Sequence, residues 1–514
     1  MDLVIYSQKH GSLRSSKISK KTYINRRRFL AGLGGSAAAF ALPGVWPKCL
    51  LAAVPRQNNI ITPRARVGIA RSEAGKCEDL AFTDIMSVVE QAVNLAGGLE
   101  GIVRDKQVVV LKPNLMCLYV NSTGQKLAPD VNGVTTDWRV TRAVAQIVRK
   151  LNPHGKIYVM ESSAFQQTRT TMVALNYTPD KIPEVDGFFC LEESGSYEQW
   201  DSPKLTTVTL PRGVGLYPDY MKPNKSPQFY FNKDYYNADV IISIPVLKNH
   251  HYTGLTGAIK NVAIGASPPN IYGSKSQLTV TQATPQYIVD KWGPLINLMR
   301  VKKIDHRPYY LGSWIHDYYL CRPVDFVVTD GLQGSQNGPD IPHTTKQKCL
   351  EDNQMNMRLI LAGKDAVAVD TVHSLTIGFD PDKVNHLVNL STAGCMNPAF
   401  IRVEGSAVHS VRKFFAMEWE RGGAAKHNCS KNPALQIKAA VKNGDKLYLR
   451  LAVDAKETVK LEVALDGKLL DKTVIDGFEN VSFQLSGRQA AAKNVTVFAY
   501  DRYLNCTEQT VTVG

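Results

Sequence analysis

From Arg66 to about Arg421, short and almost wholly apolar runs, many of them β-branched, alternate with stretches whose apolar positions recur every three or four residues. The runs Gln107–Leu111, Lys156–Met160, Val240–Ile244, Asp325–Thr329 and Arg358–Ala362 lack the alternation of a half-exposed strand, which predicts strands buried on both faces. Helical spacing predicts helices over Phe82–Leu95, Asp137–Lys150 and Ala366–Ile377, with Asp137 placed to cap the second. Strand and helix in alternation specify an α/β fold, a mainly parallel Rossmann-like sheet flanked by helices. Two long insertions, about 190–236 and 266–322, are rich in Tyr, Trp, Pro and Asn; insertions of this kind often form lids. Their pairs Tyr309-Tyr310 and Tyr318-Tyr319 suit a lid lining or, more simply, core packing.

A helix-like Val411–Arg421 and a small, polar linker over 422–433 end this pattern, and the period then changes to two. Leu435–Val441, Lys446–Val453, Val459–Leu465, Thr473–Ile475, Val481–Leu485, Asn494–Asp501 and Gln509–Val513 alternate apolar and polar residues, with turns such as Asp466-Gly467 and Asp476-Gly477 between them. Seven short strands in this space predict an all-β immunoglobulin-like sandwich. The expected domains are therefore 60–425 (α/β) and 432–514 (sandwich). The sandwich carries no expected catalysis and reads as a module that braces or presents its neighbour.

The first 53 residues read as a processing segment. A basic stretch ending in Asn25-Arg26-Arg27-Arg28-Phe29-Leu30 runs into a Gly- and Ala-rich apolar stretch to Leu42, the pattern of a twin-arginine signal. Cleavage is expected near Ala52-Ala53, and the sequence before Cys49 is a poor lipid-attachment site. The expected location is periplasmic or extracellular, and the expected export partner is the twin-arginine translocation machinery. Loss of residues 1–53 removes nine Lys/Arg and one Asp, so the net charge falls from +15 to +7. The remaining basic residues form no block interleaved with aromatics, which argues against nucleic-acid binding. No later apolar run approaches the roughly twenty residues of a membrane-spanning helix.

In a doubly wound sheet, ligands bind beyond the carboxyl ends of the strands. The residues that follow the expected strands are polar: Lys112-Pro113-Asn114, Glu161-Ser162-Ser163, Pro245 through His251, and Asp330 through Pro339. The segment from Lys248 to Asn261 offers most. Its adjacent His250 and His251 titrate near neutrality, Lys248 and Lys260 attract an anion, and Gly254 and Gly257 admit close backbone approach. His250, His251 and Lys260 are the candidate catalytic residues; Lys112, Asn114, Lys248 and Asn261 are the candidate anion-binding residues. Glu161 and Asp330, with Asn114 and Asn337, are oxygen donors of the kind that hold a hard divalent cation. Asp365 and Asp370, five apart at a helix start, read instead as a cap and a packing partner. His306, His316, His343, His373 and His386 show no ligand spacing and read as surface or satisfied core side chains.

Lys112-Pro113-Asn114, Thr135-Thr136-Asp137, Ala238-Asp239-Val240 leading to Lys248-Asn249-His250, Leu255 through Asn261, Gly338-Pro339 and Lys364 through Asp370 together resemble the domain of unknown function 362 family, in order, over most of 66–405. Many members of that family carry a ferredoxin module. This chain has nine cysteines but no C-x-x-C pair, which speaks against an iron–sulfur cluster; spacing leaves disulfides and buried thiols equally open. A weaker resemblance links His250 through Lys260 to the nickel-pincer lactate racemases, in which a catalytic His precedes a cofactor-anchoring Lys by ten residues. Here Gly257-Ala258 replaces that family's Gly-Gly, and no His lies between 252 and 305. The likeness implies a shared fold rather than a nickel pincer.

Three functional classes fit these residues. One is an exported enzyme using acid/base chemistry on a small or carbohydrate-derived anion. Another is a redox or metal-carrying protein loaded before export, and the third is a non-catalytic binding protein.

Overall fold

The structure is a computed structural model and describes residues 60–115, 132–162, 168–191, 205–210, 228–267, 307–338, 351–417 and 432–513. The expected signal segment and most of the expected linker lie outside these residues.

Strand β1 (Ile60–Ile61) leads to β2 (Ala65–Arg71), helix α1 (Phe82–Leu95), β3 (Val108–Pro113), α2 (Trp138–Leu151), β4 (Lys156–Glu161), α3 (Thr168–Ala174) and β5 (Gly187–Cys190). A two-stranded antiparallel sheet of β6 (Leu205–Thr209) and β7 (Gln228–Asn232) follows, then α4 (Lys233–Tyr236). The central sheet resumes with β8 (Val240–Ile244), β9 (Val246–His250) and β10 (Gly254–Leu255), and α5 (Gly257–Gly265) and α6 (Arg307–Cys321) come next. The domain ends with β11 (Phe326–Ser335), β12 (Leu359–Gly363), α7 (Ala366–Thr376), α8 (Asn385–Asn389), β13 (Ile401–Gly405) and α9 (Val408–Val411).

The strand order β13-β2-β12-β11-β8-β3-β4-β5 makes a mixed sheet that is parallel except at β12, which is antiparallel to both its neighbours. A parallel neighbour needs a crossover, and between β11 and β12 the described residues hold only a single 3-10 turn, so the chain returns antiparallel. The continuous apolar runs have the cause expected of them. Val110, Ile241, Val327 and Leu361 face one core, and Val109, Leu111, Ile242, Val328 and Ile360 face the other. Helices α1 and α2 cover the second core; α5, α6, α7 and α8 cover the first. The expected packing of Tyr318 and Tyr319 holds, with Tyr318 stacked on Phe231 at 4.1 Å.

Two boundaries differ from the sequence reading in ways that matter for the site. β11 does not stop at Thr329 but continues to Ser335 with a register shift after Asp330. The chain also resumes as a strand, β9, after Pro245, which has no N–H to give the ladder. The helix expected over Val411–Arg421 ends at Val411 instead. Beyond it, backbone N–H groups of Lys413, Phe415 and Ala416 donate to Thr376 O, Ile377 O and Gln336 Oε1, which holds the segment extended along α7.

The C-terminal region is a β-sandwich. One antiparallel sheet holds β14 (Leu435–Asn443), β15 (Lys446–Val453) and β18 (Asn480–Gln484); the other holds β16 (Lys460–Leu465), β17 (Lys468–Val474), β19 (Asn494–Tyr500) and β20 (Cys506–Thr512). Asp466 and Gly467, at φ of 45° and 80°, form a two-residue hairpin turn, so β17 starts at Lys468, earlier than the sequence reading placed it. The short β1 pairs with β17, which ties the start of the α/β domain into the sandwich sheet. Cys77, Cys321, Cys395 and Cys506 are free thiols. Among the described residues no helix is long and apolar enough to cross a membrane.

Candidate functional site

The carboxyl ends of β3, β4 and β9 meet the helix α5 in a buried polar network. Lys112, fully buried, donates from Nζ to Glu161 Oε1 at 2.6 Å, to Pro113 O at 2.8 Å and to Asn261 Oδ1 at 3.5 Å. Asn114 Nδ2 donates to the same Asn261 oxygen, and Asn114 Oδ1 accepts from Lys248 Nζ at 3.1 Å. Lys248, also fully buried, donates to Val134 O at 2.6 Å. Asn261 Nδ2 closes the circuit onto Lys112 O and Ser243 Oγ. All four residues expected to bind an anion are thus brought together. Burial lowers the pKa of Lys112, and the Glu161 carboxylate works against that shift. The three N–H bonds of Lys112 already have acceptors, and its charge is paired with the Glu161 carboxylate, so this ammonium ties strands together.

The two acidic residues expected to hold a metal are engaged elsewhere. Glu161 accepts from Lys112, from Ser162 N and from Leu115 N, the last two at 2.7 Å. Asp330 accepts from Asp137 N at 2.8 Å and Leu332 N at 3.0 Å. Burial, with the Asp137 carboxylate, raises the Asp330 pKa to about 7. Among the described residues no three His, Cys, Asp or Glu side chains gather into a group able to hold a metal ion. Both carboxylates accept from backbone donors and Glu161 also from the Lys112 ammonium, so a cation at either would have to displace these donors.

His250 and His251 sit at a tight hairpin, where β9 turns back into β10 at Gly254, which has a φ of 76°. Both are buried, with ring centroids 5.1 Å apart. Their hydrogen bonds set opposite tautomers. Tyr252 N donates to His250 Nδ1 at 3.1 Å, so the proton of the neutral ring is on Nε2. His251 Nδ1 lies 3.1 Å from Gly338 O, which can only accept, so Nδ1 carries the hydrogen and a neutral His251 keeps its lone pair on Nε2. Burial, then the charges of Lys260, His251 and Lys248, hold His250 well below the usual imidazole range. His250 is therefore a neutral N–H donor at physiological pH. Gly338, which orients His251, is itself fixed by Asn249 Oδ1, which accepts Gly338 N at 2.8 Å.

Lys260, half-buried on α5, bears electrostatically on both His250 and His386. Helix α5 is seated from below by Asp370 on α7, whose carboxylate accepts Ala258 N at 2.7 Å and Ile259 N at 3.0 Å. Asp365 caps α7 through Val367 N and Ala368 N. The expected division of labour between these two acids thus holds, with Asp370 acting as a cap for a different helix. At the other end of α5, a Cβ on Gly265 would come within 2.7 Å of Lys112 Nζ. Sequence spacing alone gives no sign of Ser243, which sits inside an apolar run, or of Gly265, one turn beyond Asn261 on α5.

A family model described as "Domain of unknown function (DUF362)" matches residues 109–374, from within β3 to within α7. No curated protein matches the chain. Among solved structures, the crystal structure of a β-glucosidase from Listeria innocua in complex with isofagomine is similar over 84% of this chain and 50% of its own, at 9% identity and a TM-score of 0.16. The chain thus spans about half the length of that protein, and so slight a likeness carries no argument. The family match covers just over half of the chain and contains the network, the paired histidines and the seat of α5, and the chain belongs to the domain of unknown function 362 family.

Proposed function

We propose that this protein is an exported enzyme that acts on a small or carbohydrate-derived anion by acid/base chemistry at the strand ends. The observation that carries the reading is the pair of adjacent buried histidines with opposite tautomers, set against a network containing Lys112 and Lys248. A neutral His250 offers its Nε2–H to an oxygen on which charge develops, a donor role that suits a low pKa. His251, held by Gly338 O, offers Nε2 as the base. Lys260 stabilises negative charge, while Lys112, Lys248, Asn114 and Asn261 hold the strand ends and set a positive potential under them. The Asn25–Leu30 motif supports passage through the twin-arginine pathway to the periplasm or beyond, with the chain folded before it crosses.

The test is turnover of a panel of sugar acids and phosphorylated small molecules by the purified full chain. His251→Ala and Lys260→Ala are expected to fold normally and to slow turnover by about 100-fold or more. Folded variants that turn over a substrate as fast as the parent overturn the assignment. Tight binding without turnover, unaffected by His250→Ala, makes the protein a binding protein instead.

A further inference from the structure

Between Lys248 and His250 stands Asn249, a fully buried amide engaged at both ends. Its Oδ1 accepts Gly338 N at 2.8 Å, and its Nδ2 donates to Ala416 O, also at 2.8 Å. Gly338 O in turn meets His251 twice, accepting its backbone N–H and lying beside its Nδ1, each at 3.1 Å. One side-chain amide therefore joins the carbonyl that sets the His251 tautomer to the extended segment beyond α9.

That segment, Arg412–Ala416, is a strap fastened at both ends. At one end Ala416 O accepts Asn337 N at 3.0 Å as well as the Asn249 amide, which uses both lone pairs of the carbonyl, while Ala416 N donates to Gln336 Oε1 at 2.8 Å. At the other end Arg412 donates to Leu375 O on α7 at 2.8 Å, and to Asn505 Oδ1 and Tyr503 O in the connection between β19 and β20 of the sandwich. Between the two, Lys413 N and Phe415 N donate to Thr376 O at 3.1 Å and Ile377 O at 3.0 Å. A continuous run of hydrogen bonds thus leads from the sandwich to Asn249.

We propose that Asn249 is a positioning residue for His251, and that the sandwich, acting through the strap, holds Asn249 in place. The proposal rests on the reading of His251 as the base and names what keeps its lone pair on Nε2. Once the Gly338 carbonyl is no longer fixed, the ring is able to carry its hydrogen on either nitrogen. The sandwich then belongs to the machinery of the site and does more than brace its neighbour.

The experiment is nitrogen NMR of the full chain labelled at its histidine rings, which reads the His251 tautomer directly and needs no substrate. The parent is expected to carry hydrogen on Nδ1. Asn249→Ala is expected to raise the share of the Nε2–H form about fivefold, the effect of losing one fixed hydrogen bond. Arg412→Met should move it the same way by a smaller factor. Arg502→Met breaks a different contact between sandwich and α/β domain, with Asp380 and Asp382 at 2.9 Å each, and is expected to leave the tautomer unchanged. If Asn249→Ala folds and keeps the parent tautomer, the positioning role falls and the acid/base reading survives; if the parent itself carries hydrogen on Nε2, both fall. Arg412→Met with the parent tautomer, or Arg502→Met moving it equally, overturns the part given to the sandwich. If Asn249→Ala does not fold, hydrogen exchange of the Gly338 N–H in the parent decides: protection is expected, and fast exchange overturns the role of Asn249.

Discussion

The Asp370 carboxylate lies so close to the Gly257 backbone that a Cβ there would come within 2.5 Å of Oδ2. Gly257 also has a φ of 59°, a left-handed conformation that favours glycine. Gly257→Ala thus meets backbone strain and a clash together, at a cost of roughly 2–4 kcal/mol. Lys260 and Asn261 ride on the helix that begins here, so anion affinity should fall as well. Urea unfolding with anion titration checks both, and a variant as stable as the parent refutes the seating of α5 on Asp370.

The same carboxylate gives a pH prediction that His373 reverses. Burial outweighs two backbone donors and raises the Asp370 pKa to about 7 from 3.8. The folded state then holds its proton more tightly than the unfolded state, so this contribution to stability is complete below pH 3.8 and is lost as pH rises through about 7. His373 is depressed by burial from 6.5 to about 3, so its contribution is present above pH 6.5 and is lost as pH falls toward 3. Compared with the parent, Asp370→Asn should become relatively more stable as pH rises from 4 to 7, and His373→Phe relatively more stable as pH falls from 6.5. Each slope is roughly 1.4 kcal/mol per pH unit at most. Parallel stability profiles for parent and variants contradict these shifts.

Lys112 and Glu161 form a pair that neither can leave cheaply, since the Lys112 side chain is fully buried and that of Glu161 is 2% exposed. Glu161→Gln removes the partner and leaves the ammonium in the core, at an expected cost of roughly 3–5 kcal/mol. Gly265→Ala attacks the same pair sterically, and because Lys112 is fixed by three acceptors it should cost about 1–3 kcal/mol. Thermal melting of the two variants measures both. A Glu161→Gln protein as stable as the parent shows that the pair carries no such weight.

Much of the fold is legible because burial leaves a pattern that survives in one dimension. The run Val240–Ile244 is apolar but for Ser243 because Ile241 and Ile242 face opposite cores, and the period-two strands of the sandwich follow the same logic on one face. The antiparallel direction of β12 is not legible, since Leu359–Gly363 would read alike in either direction. The site is legible in part. Lys112 and Asn114 at the end of β3, Lys248 on β9 and Asn261 on α5 do converge, but whether an ammonium reaches outward or bonds three neighbours depends on atoms supplied by Glu161, Pro113 and Asn261. His373 and His386, which read from sequence as surface or satisfied core side chains, are buried with neither ring nitrogen partnered, and the absence of a partner leaves no trace in a sequence.

The sandwich and the α/β domain are joined by more than a linker. Lys460 donates from Nζ to Ile401 O at 2.7 Å and to Glu462 Oε1 at 2.8 Å, stands over the Tyr500 ring at 4.6 Å, and has Arg402 Nε 3.8 Å from the same Glu462 oxygen. Arg412 donates to Asn505 Oδ1 at 2.6 Å and to Tyr503 O, while β1 extends the sandwich sheet. The side chains of Lys460 and Glu462 are each 1% exposed, so this contact is a buried ionic core between the two parts. The full chain should therefore unfold in a single transition, and Glu462→Gln should lower it by roughly 3–5 kcal/mol without splitting it. Calorimetry distinguishes the outcomes: two transitions, with only the sandwich shifted by the substitution, would mean that the domains fold independently and that the sandwich only rests against its neighbour.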